Sequence, residues 1–308
     1  MTDSKLIQDS YDYCIQVMKH HSKSFYYAFS QLSNDRLQAI ASIYAFCRTA
    51  DDLVDEETST DQQAILDQLD RLKEAIIEVS SGQRLDLPFK WWPAFQETLV
   101  NYQIPDKGFL LQLKGQVMDL NFSDLKTLED LVTYSKHVAG SVGLMLLPIL
   151  KRSDLEEEGQ DLEAACLSLG VAMQVTNILR DVGEDLKERN RVYIPEEVLH
   201  KHGLAKADLL NLIADPQDPD RLPRFQRVWE ELATLADDCY QAFWSALVAF
   251  APEAQVPLAS AALIYQAIQD QVRQANYNCL TQKCHTSQLT KIRKVQEAKQ
   301  RLRQMNQS

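Results

Sequence analysis

The chain has 308 residues, 45% of them apolar, and sets 32 Lys and Arg against 44 Asp and Glu for a net charge of −12. That acidic balance argues against nucleic acid as a partner, and nine glycines, ten prolines and few alternating β-branched runs argue against a sheet. The expected class is all-α, as one helical domain over 1–308, because neither an internal repeat nor a linker-like tract divides the chain.

Met1 to Asp12 is polar and carries no apolar h-region, so a cytoplasmic protein is expected. Helical periodicity runs over 6–20 and 24–31, with His21-Ser22-Lys23-Ser24 between them and the aromatic run Phe25-Tyr26-Tyr27 behind. Ser22 or Ser24 suits an N-cap, and the same group of imidazole, hydroxyls and amine suits a phosphate-binding helix start. Both readings stay open. The next helix, 35–55, places Tyr44, Arg48, Asp51 and Asp55 at i, i+4, i+7 and i+11, which is one face at 3.6 residues per turn. Arg48 can pair with Asp52 at i+4, or offer its guanidinium to a diphosphate.

Helices over 61–80, 92–103, 107–121 and 127–150 follow, broken at Ser81-Gly82, Leu87-Pro88 and Ile104-Pro105. Within the last of them, Gly140 and Gly143 each cost about 1 kcal/mol relative to alanine, so a close approach should compensate. Tight helix packing and the wall of a long apolar pocket both fit. The helix over 159–187 repeats the earlier device: Gly170, Gln174, Asn177, Asp181 and Asp185 share a face, with Arg180 beside them. Further helices are expected at 206–213, 223–250, 255–284 and 287–303, with the break Asp215-Pro216-Gln217-Asp218-Pro219 among them.

Two remaining features carry less. The six cysteines form no CxxC pair, and Cys279, Cys284 and His285 lack a fourth zinc ligand, so reduced structural thiols are expected. The stretch Ser287 to Ser308 carries +5 while the rest of the chain carries −17. A solvated basic helix is the plainer reading, and peripheral contact with an anionic membrane is the other. The most apolar stretches, Val142 to Leu150 and Phe243 to Ala251, are about half the ~20 residues that span a bilayer.

The two acidic rows say most about function. Carboxylates at i and i+4 destabilise a helix by a few tenths of a kcal/mol, and no lysine shares either face. A cation is therefore expected between them. Donors that are all oxygen point to Mg²⁺, with Mn²⁺ as the alternative, and such ions take one or two carboxylates plus phosphate oxygens. Two facing rows above an apolar pocket would suit an isoprenyl diphosphate.

These residues resemble a known family. His21-Ser22-Lys23-Ser24-Phe25, Tyr44 to Arg48 with Asp51-Asp52-Leu53-Val54-Asp55, Val138 to Gly143, and Gln174 to Asp185 are similar to motifs of the squalene/phytoene synthases. The resemblance runs from about residue 11 to 295, and Arg273-Gln274-Ala275-Asn276-Tyr277 leans towards the bacterial dehydrosqualene (4,4′-diapophytoene) synthases. It implies an isoprenoid-synthase helical bundle with a central apolar cavity. The implied reaction joins two farnesyl diphosphates head to head (1-1′), through the cyclopropylcarbinyl presqualene diphosphate, with two ionisations that release diphosphate. By the same resemblance, Asp51, Asp55, Asn177, Asp181 and Asp185 would hold Mg²⁺. His21, Ser22, Lys23, Ser24, Tyr44, Arg48, Gln174, Arg180 and Tyr265 would contact substrate, and Tyr134 and Asp119 would stand near the second site. Gln282-Lys283 departs from an Arg-Val pair found in many members, so either a basic diphosphate contact is missing there or Lys283 supplies it from one residue over.

Three products stay open. Dehydrosqualene needs no redox cofactor, so NADPH is not expected for it, whereas squalene needs NADPH and phytoene needs geranylgeranyl diphosphate. Large Phe29 and small Ala41 give conflicting cues to chain length. A helical lipid-binding subunit without catalysis is the non-enzyme alternative, and it would predict eroded acidic rows.

Overall fold

The computed structural model describes residues 3–55, 62–152 and 162–305. Apart from an isolated bridge between Lys151 and Phe250, the described residues contain no strand. Helices α1 (Asp3–His21), α2 (Lys23–Phe29), α3 (Asn34–Asp55), α4 (Gln62–Ser80), α5 (Trp92–Tyr102) and α6 (Lys107–Leu120) form the first half. α7 (Leu128–Ser135) runs through a π turn, Lys136–Gly140, into α8 (Ser141–Leu150). The second half contains α9 (Leu162–Arg189), α10 (Glu196–Lys201), α11 (Lys206–Ala214), α12 (Arg221–Ala246), α13 (Pro252–Gln274) and α14 (Gln288–Met305). The all-α, single-domain expectation matches this architecture.

α9 is central, packed against α12, α13, α8 and the π turn. It is long and apolar enough to cross a membrane by composition, yet over half of its most apolar window is buried within the protein. α3 is fixed on its other side by aromatic packing: the Phe46 ring lies 5.3 Å from that of Phe95 on α5 and 5.2 Å from that of Phe109 on α6. Burial of each such ring stabilises by roughly 1.5–3 kcal/mol, and this cluster holds the face bearing Tyr44, Arg48 and Asp51 towards α9.

Glycines set the spacing between α9 and the α7–α8 helix. A Cβ on Gly170 would lie 2.4 Å from Gly140, and one on Gly143 would lie 2.8 Å from the Cys166 carbonyl oxygen. The close approach expected of Gly140 and Gly143 is therefore backbone packing. Gly143 also lines a cavity, so the two readings hold together.

Three local expectations are corrected. The helix expected over 255–284 ends at Gln274, because Asn276 and Tyr277 take left-handed φ values of 52° and 59° and the Tyr277 N–H closes onto the Val272 carbonyl. The stretch expected as one helix over 127–150 contains the π turn. α10, only six residues long, has no counterpart among the expected elements. All six cysteines are free.

Candidate active site

Two cavities meet in the middle of the bundle. The first, of about 200 Å³, is lined mainly by apolar side chains of α2, α3, the α7–α8 helix, α9 and α13, Phe29 of α2 among them, together with Phe243 of α12 and Phe250 just before α13. The second, of about 380 Å³, is polar and opens between α3, α6, α7 and α9. Asp51, Val138 and Asn177 line both. The charged mouth and the apolar chamber thus share one carboxylate and one amide, with the Val138 side chain of the π turn between them.

On α3, Tyr44 lines the apolar cavity, and burial first, then the neighbouring Tyr265, pushes its phenol pKa upward. Arg48 lines the polar cavity, is ion-paired to Asp52, and keeps its buried Nε without a partner. Asp51 Oδ1 accepts from Gln116 Nε2 at 2.6 Å and Gln112 Nε2 at 3.3 Å, both on α6. Asp55 ends α3, and its side chain lies outside the described residues.

On α9, Gln174, Asn177, Asp181 and Asp185 of the expected face line the polar cavity, as does Arg180 beside them, while Gly170 of the same face lines the apolar one. Arg180 grips Asp181 with two hydrogen bonds, one from Nε to Oδ1 at 2.8 Å and one from Nη2 to Oδ2. Lys283 pairs with Glu184 and lies 3.8 Å from Asp181 Oδ1. The row therefore does have a protein cation, supplied from a distant part of the chain. Asp185 differs: burial first, then the adjacent Asp181, pushes its carboxyl up to about 7.

The segment His21 to Ser24 is divided by the structure. Ser22 stands at the N-cap position of α2, as one of the two readings had it, but its side chain makes no capping bond and instead lines the apolar cavity together with Tyr265 of α13. His21 and Lys23 are exposed, and they and Ser24 line neither cavity. His21 still feels the site, since partial desolvation and then the Arg48 charge hold it below the ordinary imidazole value.

Asp119 and Tyr134 come together in the polar cavity, the Tyr134 hydroxyl donating to the Asp119 carboxylate at 3.0 Å. Tyr193 donates to the same carboxylate at 3.1 Å and stacks on Tyr134, while Arg191 donates to the Asp119 carbonyl at 2.8 Å.

The donors fit a hard divalent cation. Asn177 Oδ1 is buried without a partner, and a carboxylate held as unfavourably as Asp185 is one that a nearby cation would stabilise. Among the described residues no group of three or more His, Cys, Asp or Glu side chains is placed to hold a metal ion by itself. Open, one-sided donor sets are what Mg²⁺ shared with phosphate oxygens uses.

The sequence pattern of the squalene/phytoene synthases matches residues 18–292. The chain belongs to the squalene/phytoene synthase family. It is 32% identical to the 4,4′-diapophytoene synthase of Staphylococcus haemolyticus over 273 residues, covering 88% of this chain and 90% of that one. It is 30% identical to the 15-cis-phytoene synthase of Synechococcus elongatus, covering 93% and 91%. A crystal structure of a dehydrosqualene synthase in complex with ligand superposes with a TM-score of 0.85 at 33% identity, over 98% of this chain and 99% of the other. Against chloroplastic phytoene synthases the chain spans about two thirds of the relative's length. Members of this family are prenyltransferase-type synthases that condense isoprenyl diphosphates head to head.

Several residues in and beside the two cavities were not singled out by the sequence. Gln112 and Gln116 carried a readable signal, two amides at i and i+4 within an apolar helix, with Asp119 continuing their face. Tyr193 and Arg191 lie in an irregular segment after α9, where no periodicity marks them.

Proposed function

We propose that this chain joins two farnesyl diphosphates head to head, through presqualene diphosphate, to dehydrosqualene (4,4′-diapophytoene), releasing a diphosphate at each of two ionisations. The observation that carries this reading is the junction of the polar and apolar cavities at Asp51 and Asn177. Diphosphate would sit among Arg48, Arg180 and the carboxylates, and the isoprenyl tail would run past Tyr44 into the apolar chamber.

Asp51, Asp55, Asn177, Asp181 and Asp185 would hold Mg²⁺. Bound there, the ion would neutralise the departing diphosphate as a Lewis acid. The protein's own part is electrostatic and exclusionary. Arg48 and Arg180 offer preorganised donors to phosphate oxygens, and the apolar walls keep water from the allylic cation while the second molecule's double bond attacks it. A second ionisation, rearrangement and loss of a proton give the linear hydrocarbon, for which no hydride is required.

The C15 reading is supported by the likeness to the 4,4′-diapophytoene synthase and by the Phe29, Phe243 and Phe250 rings along the chamber. Likeness to phytoene synthases at comparable identity makes C20 the alternative. Basic α14, with Leu289 and Ile292 exposed, supports peripheral contact with an anionic bilayer for product release from a cytoplasmic enzyme. Purified protein incubated with Mg²⁺ and farnesyl diphosphate, with and without NADPH, should yield dehydrosqualene in both arms. Squalene appearing only with NADPH, or product only from geranylgeranyl diphosphate, would replace this assignment, and no hydrocarbon from either substrate would refute it.

A further inference from the structure

Lys283 reaches the acidic row of α9 from a segment that has already left α13. After the left-handed pair Asn276 and Tyr277 the chain folds back along α9. Two ties fasten it there: the Gly183 N–H donates to the Cys279 carbonyl at 3.1 Å, and Lys187 Nζ donates to the Leu280 carbonyl at 2.9 Å. The segment then delivers Lys283 to Glu184 and to within 3.8 Å of Asp181 Oδ1.

Asp181 consequently carries two protein cations. Arg180 holds both of its oxygens in a bidentate grip and is 21% exposed, whereas Lys283 is 41% exposed and touches Asp181 at long range. A divalent ion that takes Asp181 has to displace positive charge from it. Of the two cations Lys283 is the one free to yield, because its ammonium sits on a flexible four-carbon stem while the guanidinium is locked in a planar fork. It also has somewhere to go. A cavity of about 220 Å³ lies beside it, lined by Arg180, Lys187 and Lys283 together with Glu184 and Glu188.

We propose that Lys283 is a placeholder cation: it occupies the Asp181–Glu184 carboxylates before metal binds, and on displacement turns its ammonium to the diphosphate oxygens. This deepens the metal–diphosphate reading above and rests on it. Such a residue competes with the metal and cooperates with the anion, so it couples their binding. A residue that only tied the segment to α9 would move both affinities the same way.

The test uses full-length protein, calorimetric titration with Mn²⁺ alone, and titration with inorganic pyrophosphate at saturating Mn²⁺. Lys283→Gln should bind Mn²⁺ alone roughly threefold more tightly, the size of a half-exposed ion pair. The same variant should bind pyrophosphate about tenfold more weakly, the size of one charge-assisted hydrogen bond. Lys283→Arg, which keeps the charge, should hold both affinities to within about twofold of wild type. A circular dichroism melt matching wild type would exclude unfolding as the cause. Unchanged affinities in Lys283→Gln, a change in only one, or losses in both would overturn the role of Lys283 while leaving the site reading intact. Failure of the wild type to bind pyrophosphate with Mn²⁺ would overturn both.

Discussion

Gly183 and Leu280 are in backbone contact: a Cβ on Gly183 would stand 1.9 Å from the Leu280 carbonyl oxygen. One turn earlier, the Leu179 carbonyl accepts from the Trp229 indole at 3.0 Å, and the Gly183 N–H itself turns to Cys279. The middle of the acidic row is thus built jointly by α9, α12 and the segment after α13. Gly183→Ala is expected to push that segment off α9, with overpacking of roughly 1–3 kcal/mol. It should lower the melting temperature and also reduce turnover, because Lys283 and Asp181 move with it. A variant with wild-type melting and turnover would contradict this contact.

Asp51 is held by Gln112 and Gln116 and stands where the two cavities join. Asp51→Asn preserves shape and removes the charge, so turnover should fall by about 10²–10³ or more while the melt stays close to wild type. Gln116→Leu should act through Asp51, with a milder fall in kcat and a shift in the metal concentration required for half-maximal rate. Equal metal dependence in the Gln116 variant and wild type would remove that positioning role.

Most of the helices, the α3 face from Tyr44 to Asp51 and the α9 face from Gln174 to Asp185 were legible in the sequence because they depend on local periodicity, which 3.6 residues per turn imposes on any helix. What was illegible depends on partners far along the chain. The end of α13 at Gln274 is set where Tyr277 folds back to donate to Glu230 on α12, at 2.6 Å, and no residue near 274 announces it. Lys283 is marked in the sequence only by its departure from the family's Arg-Val pair, and its seat on Glu184 follows from the fold-back. Ser22 does stand at the N-cap position, but that its side chain lines the cavity with Tyr265 instead of capping α2 depends on where α13 packs.

Tyr134 and Tyr193 both donate to Asp119, and Arg191 approaches the same carboxylate at 3.5 Å. Tyr193→Phe removes one donor and leaves the ring stack, so stability should fall by only about 1 kcal/mol. The Asp119 carboxylate would then be less fixed within the polar cavity. The expected result is a fall in kcat larger than any rise in KM for the isoprenyl diphosphate, measured under steady state. A pure KM effect would instead make Tyr193 a binding contact.

Glu230 gives a pH-dependent contribution to stability that is separate from catalysis. Its carboxylate accepts two hydrogen bonds from Arg273 at 2.8 Å and one from Tyr277 at 2.6 Å, and the Arg273 bonds chiefly hold its pKa below the ordinary 4.5. A folded-state pKa below the unfolded one means that the stabilisation is fully present above the unfolded value and is lost as pH falls through the folded one. The group is partly exposed, so the contribution at pH 7 is discounted to roughly 1 kcal/mol or less. Glu230→Gln should therefore lower the melting temperature at pH 7, and the gap from wild type should close below pH 4.5. The same variant should loosen the fold-back that carries Lys283, because Tyr277 loses its anionic acceptor. A gap that stays constant from pH 7 to pH 3 would show that packing of the side chain, and not its charge, supplies the stabilisation.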